Sequence, residues 1–217
     1  MTRKDAFETM RARILEKALV HVPFEGWSET ALMEGAKDAG YDPAMALDAF
    51  SGGVPDAIGY ASERADQAML TALESIEGFK EMRVRERIAA AIRRRLELSL
   101  GEREAIRRAL MVLALPHNAP LGLKLLWRTV DAIWYAAGDS ATDFNFYTKR
   151  ALLAGAYSAT LLYWLNDQSP GCGDSWGFLE RRLDEAMRVP HFFARVRDRL
   201  AAFPSPFRPP RPHRRRW

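Results

Sequence analysis

The 217-residue sequence contains one cysteine, Cys172, and four histidines. A single thiol excludes an internal disulfide and any metal site built from several cysteines. His21, His117, His191 and His213 form no Glu-x-x-His motif, and no glycine-rich phosphate loop or dinucleotide fingerprint is present. Cys172 lies in a glycine-flanked loop without a histidine near it in sequence. We therefore expect no catalytic residue, no metal, no cofactor and no enzymatic activity.

Long apolar runs are also missing. The longest uncharged stretches, residues 109–123 and 151–166, are too short for a confident membrane-spanning helix and carry polar residues. The first ten residues, MTRKDAFETM, have no apolar core and include acids, so neither a signal peptide nor a transit peptide is visible. We expect the protein to lie peripherally at the cytoplasmic face of a bacterial inner membrane. In a eukaryote we expect it on the matrix side of the mitochondrial membrane.

Positive charge is concentrated at the C-terminus. The formal net charge is +4, but residues 190–217 hold eight arginines and one aspartate, which leaves the other residues mildly acidic. A basic end on an acidic body predicts a segment that meets an anionic surface, either lipid headgroups or nucleic acid.

The chain has no alternating β-branched runs, and alanine, leucine, arginine and glutamate dominate it. This composition predicts an all-α fold. The predicted helices are 5–21, 28–39, 43–50, 55–77, 83–100, 102–114, 122–138, 144–166, 176–187 and 191–203. Ser28, Asp143 and Asp174 are the expected N-caps, and Pro190 is expected to separate the last two helices. Small residues at 151–159 would allow close packing or a cavity, and their spacing favours packing.

Four parts follow from this pattern: a helix-turn-helix-like part (1–53), a ligand-binding bundle (54–189), an amphipathic membrane-contact helix (190–203) and a disordered tail rich in proline and arginine (204–217).

The first part resembles the TetR architecture, with Gly40 at the tight turn. Residues 22–56, however, contain seven acidic residues and a single basic residue, Lys37. The recognition helix of a DNA-binding protein must neutralise phosphates and reach base edges, so we expect no nucleic-acid partner. A TetR-type, ligand-responsive DNA-binding regulator remains the alternative.

The segment 138–150, GDSATDFNFYTKR, mixes aromatic and charged residues. Such a mixture is typical of a protein-interaction patch, although Asp143 could equally cap the following helix.

Taken together, LPHNAP, DAIWYAAGD, TDFNFYTKRALLAGAY and DSWGFLERRLDEAM resemble the lipid-binding accessory proteins of coenzyme Q biosynthesis. The resemblance covers residues 10–203 and is most specific at 115–187. It implies a non-enzymatic protein with a TetR-like fold. Such a protein binds an isoprenoid lipid or ubiquinone precursor and delivers it to the di-iron demethoxyubiquinone hydroxylase.

The resemblance also assigns residues to two surfaces. The hydroxylase would dock on a partner-binding surface. At one position of this surface the chain has Phe146, where many members of the family have tryptophan. The matched residues are Asp131, Ile133, Trp134, Asp143, Phe146, Tyr147 and Arg150.

The last helix would contact the membrane, with apolar residues on one face and arginines around them. The residues are Phe192, Phe193, Val196, Leu200, Phe203, Arg195 and Arg199. By analogy with the fold, we also expect a homodimer that pairs through the last long helices.

Overall fold

A computed structural model describes residues 2–138 and 145–201; the side chains at 145, 146, 187 and 189–201 are not described. Within those ranges the chain forms α-helices joined by turns, with no strand. They are α1 (Arg3–Glu25), α2 (Glu29–Asp38), α3 (Met45–Ala49), α4 (Gly53–Glu74), α5 (Val84–Leu98), α6 (Arg103–Leu113), α7 (Ala119–Ala136), α8 (Asn145–Trp164) and α9 (Gly173–Ala201). The predicted all-α class is confirmed.

Several helix boundaries follow from local signals in the sequence. The Ser28 hydroxyl accepts a hydrogen bond from the Ala31 N–H at 3.1 Å, which confirms Ser28 as the N-cap of α2. Gly40 has a φ of +81°, a conformation that other residues rarely adopt, so the turn after α2 needs this glycine. Pro120 lies in the first turn of α7, where its missing N–H has no helical partner to lose.

Two proline-based predictions were wrong. Helix α1 does not end at His21 but continues through Pro23, whose carbonyl accepts a hydrogen bond from Arg108 Nη2 at 2.8 Å. Helix α9 continues through Pro190 to Ala201, so the predicted break before residue 191 is not observed. A proline removes one helical hydrogen bond, and a long helix with many other bonds tolerates that loss.

The predicted cap at Asp174 was also wrong, because this residue lies inside the first turn of α9. Asp167 takes the capping role: its carboxylate accepts hydrogen bonds from the Ser175 N–H at 2.9 Å and the Ser169 N–H at 2.7 Å. Although desolvation raises the pKa of Asp167, these bonds and one from the Ser175 hydroxyl outweigh it and hold that pKa well below its usual range.

In the described part of the chain, the helices build two large apolar cores and a third, small cluster of Val22, Ala31 and Ala105. Helices α1, α2 and α3 pack with the start of α4 around Ile14, Leu32 and Phe50, and α4 to α9 enclose a larger core around Ile92, Ile133 and Trp164. The Trp27 indole N–H donates to the Ala105 carbonyl at 2.9 Å and ties the small core to α6. None of the described helices is long and apolar enough to cross a membrane.

The closest helix contact that involves a glycine lies between α1 and α2. A Cβ added at Gly35 would stand 2.5 Å from the Ala18 backbone nitrogen, closer than any real contact. We expect Gly35→Ala to lower the free energy of unfolding by about 1 to 3 kcal/mol, because the two helix backbones must separate. Chemical denaturation measures this change.

Gly155→Ala in α8 is the matched control, since its Cβ would meet nothing within 4 Å. It should raise the free energy of unfolding by about 0.5 to 1 kcal/mol through helix propensity alone. Equal effects of the two substitutions would contradict the packing argument.

Candidate functional site

The bundle contains an apolar cavity of about 450 Å³ between α4, α5, α6, α7 and α8. Its volume lies within the range of small-molecule sites in proteins, and most of its lining is aliphatic.

Small side chains on α4, α6 and α7 and at the C-cap of α6 create this space. They are Ala61, Ala65, Ala109, Ala114, Ala119 and Gly122. At Gly122, an added Cβ would stand 3.3 Å from the Leu113 Cβ, so the glycine also allows α6 and α7 to approach closely. Of the small residues at 151–159, by contrast, only Ser158 lines the cavity. Ala156 is buried in the core instead, as the packing alternative predicted.

Two leucines of the lining are also exposed to solvent and mark the rim of the cavity. Leu123 of α7 is 65% exposed and Leu162 of α8 is 57% exposed. Exposed leucines beside an apolar cavity are unfavourable in water and suit an apolar environment at the entrance.

Buried polar groups line the same cavity. Arg95 Nε donates to Asp66 Oδ1 at 2.7 Å, and the Thr129 hydroxyl donates to the same oxygen at 2.9 Å. Tyr157 is buried next to them, with its ring centroid 5.7 Å from the Arg95 guanidinium carbon. Arg95, Thr129 and Tyr157 line the cavity, and sequence analysis did not identify any of these residues.

The predicted partner-binding residues divide into an exposed and a buried group. Tyr147 is 66% exposed and Asp131 is also exposed, whereas Ile133, Trp134 and Arg150 are buried. Asp143 and the Phe146 side chain lie outside the described residues.

Contacts between these residues connect α7 to α8. Arg150 Nε donates to Asp131 Oδ1 at 2.8 Å, and Tyr147 lies 6.3 Å from Trp127 between ring centroids. Tyr135, one turn after Asp131, is 78% exposed on the same face of α7. Tyr135 was not among the predicted partner-binding residues, although its spacing of four residues from Asp131 places both on one face of a helix.

The predicted membrane-contact residues cannot be placed individually. The backbone of residues 190–201 is helical and continues α9, but the side chains of Phe192, Phe193, Arg195, Val196, Arg199 and Leu200 lie outside the description, as does Phe203 altogether.

Two potential nucleophiles, the Cys172 thiol and the Ser175 hydroxyl, are buried and contact other side chains. Arg103 Nη2 lies 2.8 Å from the Cys172 sulfur. The stretch GDSWG at 173–177 matches the Gly-x-Ser-x-Gly pattern of hydrolases, a match that sequence analysis missed. Its Ser175 is fully buried, and the hydroxyl donates to Asp167 at 2.5 Å. The described residues hold no cluster of three or more potential metal ligands.

Residues 22–56, which include the turn and the candidate recognition helix α3, carry seven acids and one cation. Asp42 and Asp48 are exposed around α3, and Lys37, the one cation between residues 22 and 56, pairs with Glu34 at 3.2 Å. This surface would repel the phosphates of DNA.

Comparison with solved structures gives the fold. A TetR transcriptional regulator from Nitrosomonas europaea ATCC 19718 is similar, with a TM-score of 0.68 and 23% sequence identity, over 82% of this chain and 98% of that one. The predicted TetR-like architecture is confirmed, and at this identity the likeness concerns the fold alone.

Comparison of sequences gives the family. The COQ9 family model matches residues 119–190. The human mitochondrial ubiquinone biosynthesis protein COQ9 is 36% identical over 88% of this chain, which spans 61% of the human protein's length. The Schizosaccharomyces pombe protein of the same name is 31% identical, with 81% of this chain and 69% of that protein covered. The chain therefore belongs to the COQ9 family.

Proposed function

We propose that the protein acts in ubiquinone biosynthesis as a non-enzymatic, lipid-binding accessory protein. It holds isoprenoid quinone precursors in the cavity between α4 and α8 and presents them to the di-iron demethoxyubiquinone hydroxylase at the membrane. The observation that carries this proposal is the aliphatic cavity of about 450 Å³ with exposed leucines at its rim. The curated relatives, which are named ubiquinone biosynthesis proteins, support the pathway.

The proposed mechanism is extraction and presentation. The end of α9 lies at the membrane interface, where its arginines contact anionic headgroups and its aromatic residues reach the acyl chains. A precursor then leaves the membrane past Leu123 and Leu162, because both offer apolar surface at the entrance. The chemistry belongs to the hydroxylase, so no catalytic residue is needed in this chain.

The hydroxylase docks, in this proposal, on the exposed face formed by Asp131, Tyr135 and Tyr147. Ile133 and Trp134 support the face from inside, since both are buried in the core. Arg150 holds α8 against α7 through its hydrogen bond to Asp131. Tyrosines beside charged groups are typical of the residues that dominate protein interfaces. Pairing of two copies through the last long helices stays a prediction.

The TetR-type DNA-binding regulator is the weaker candidate. Its support is the shared fold, while the exposed acids around α3 and the pairing of Lys37 with Glu34 oppose binding to DNA.

Blocking the cavity tests the lipid-binding proposal. Ala109→Trp places a large ring in the lining, so we expect the purified variant to carry several-fold less isoprenoid lipid than the wild type. Lipid extraction followed by mass spectrometry measures the difference.

Met111→Trp is the matched control, because Met111 lies two residues away on α6, is 59% exposed and does not line the cavity. The control should retain the wild-type amount of lipid. A wild-type protein that carries no isoprenoid, or two variants with equal lipid content, would contradict the proposal.

Removal of one exposed ring tests the docking face. Tyr147→Ala should raise the Kd for the purified hydroxylase by roughly tenfold, since tyrosine truncation at an interface centre commonly costs more than 1 kcal/mol. Phe24→Ala is the control, because Phe24 is also an exposed aromatic residue but lies on α1. A titration in which both variants bind like the wild type would remove Tyr147 from the docking face.

A further inference from the structure

The lipid-binding proposal gives no role to the buried polar residues that line one end of the cavity, which we call the polar end. Arg95, Thr129 and Tyr157 each line the cavity, and each side chain belongs to a residue that is more than nine-tenths buried. A cavity that served only to hold a hydrocarbon chain would not need charged and hydroxyl groups, because burying them is costly unless they are paired.

The charges at this end are balanced. Asp66 accepts hydrogen bonds from Arg95 and Thr129, and its second oxygen lies 3.6 Å from Arg128 Nε. Arg128 in turn pairs with Glu63 at 3.3 Å. Two guanidinium groups therefore face two carboxylates, and Glu102 adds a third carboxylate to the cavity lining. No cation of this group is left over for a phosphate.

The Tyr157 hydroxyl is a neutral donor. Burial raises the pKa of Tyr157, against the opposing effect of the Arg95 charge, so the phenol keeps its proton at neutral pH. A protonated phenol donates a hydrogen bond to a carbonyl, methoxy or hydroxyl oxygen.

The buried polar residues and the exposed leucines are separated along the axes of two helices. On α7, Thr129 follows the exposed Leu123 by six residues, and on α8, Tyr157 precedes the exposed Leu162 by five. At 1.5 Å per residue these separations are roughly 9 Å and 7.5 Å. A ligand that reaches both ends therefore has a polar part at Tyr157 and an apolar part at the leucines.

We propose that the polar end formed by Arg95, Thr129 and Tyr157 binds the uncharged, oxygen-bearing ring of an isoprenoid, with the Tyr157 hydroxyl donating to a ring oxygen and the chain extending toward Leu123 and Leu162. The inference rests on the proposed lipid-binding function and adds the orientation and the head-group selectivity. An isoprenoid phosphate or a phospholipid is excluded from this end, because no unpaired cation of the group meets its charge.

Equilibrium binding to the delipidated 217-residue protein tests the inference with three probes. They are a ubiquinone with two isoprene units, geranyl diphosphate and squalene. The wild type should bind the quinone more tightly than the diphosphate. Tyr157→Phe, which keeps the ring and removes the hydroxyl, should weaken quinone binding by about 3- to 10-fold and leave squalene binding unchanged.

Tyr163→Phe is the matched control, because Tyr163 lies on the same helix but stacks on Phe178 at 4.6 Å outside the cavity lining. It should bind every probe like the wild type, and unfolding curves should show all variants folded. Unchanged quinone binding in Tyr157→Phe, an equal loss for squalene, or tighter binding of the diphosphate would each overturn the inference while the lipid-binding proposal stands. A wild type that binds none of the probes would overturn both.

Discussion

The fold around the cavity depends on one buried ion pair, between Asp66 of α4 and Arg95 of α5. Thr129 of α7 donates to the same carboxylate, so three helices meet at one group. Loss of either charged partner would leave a buried charge without compensation, which typically costs about 3 to 5 kcal/mol. The pair can therefore maintain the spacing of α4, α5 and α7 beside a space that no side chain fills.

That space exists because several residues that line it on the helices around the ion pair are alanines, whose side chains are small. A well-packed core normally leaves few voids, so a cavity of about 450 Å³ lowers stability unless a ligand occupies it. Binding of an apolar ligand would return the lost contacts and stabilise the folded state by mass action. The ion pair would then keep the cavity open, and the ligand would provide the apolar contacts that the small side chains do not make.

The sequence allowed the helical class, the TetR-like architecture and the Ser28 cap to be predicted, because short-range signals determine them. Gly40 is such a signal, since its positive φ is required at one turn. The cavity could not be predicted in this way. Alanine is favourable in any helix, so Ala61, Ala65 and Ala109 give no sign in the sequence that they face a shared space. Arg95 and Tyr157 are 62 positions apart, and only the tertiary packing brings them together.

The prediction of the partner-binding residues depended on resemblance rather than on spacing, and the structure separates these residues by burial. Asp131 and Tyr147 are exposed, whereas Ile133, Trp134 and Arg150 are buried. Tyr135 extends the exposed face, and helical spacing alone places it beside Asp131.

A structure of the protein with a short-chain ubiquinone bound would show whether the cavity between α4 and α8 binds an isoprenoid quinone. The account predicts one ligand per chain inside this cavity, with a ring oxygen within hydrogen-bond distance of the Tyr157 hydroxyl and the tail near Leu123 and Leu162. A saturated complex with the quinone at another site and this cavity empty would contradict the account.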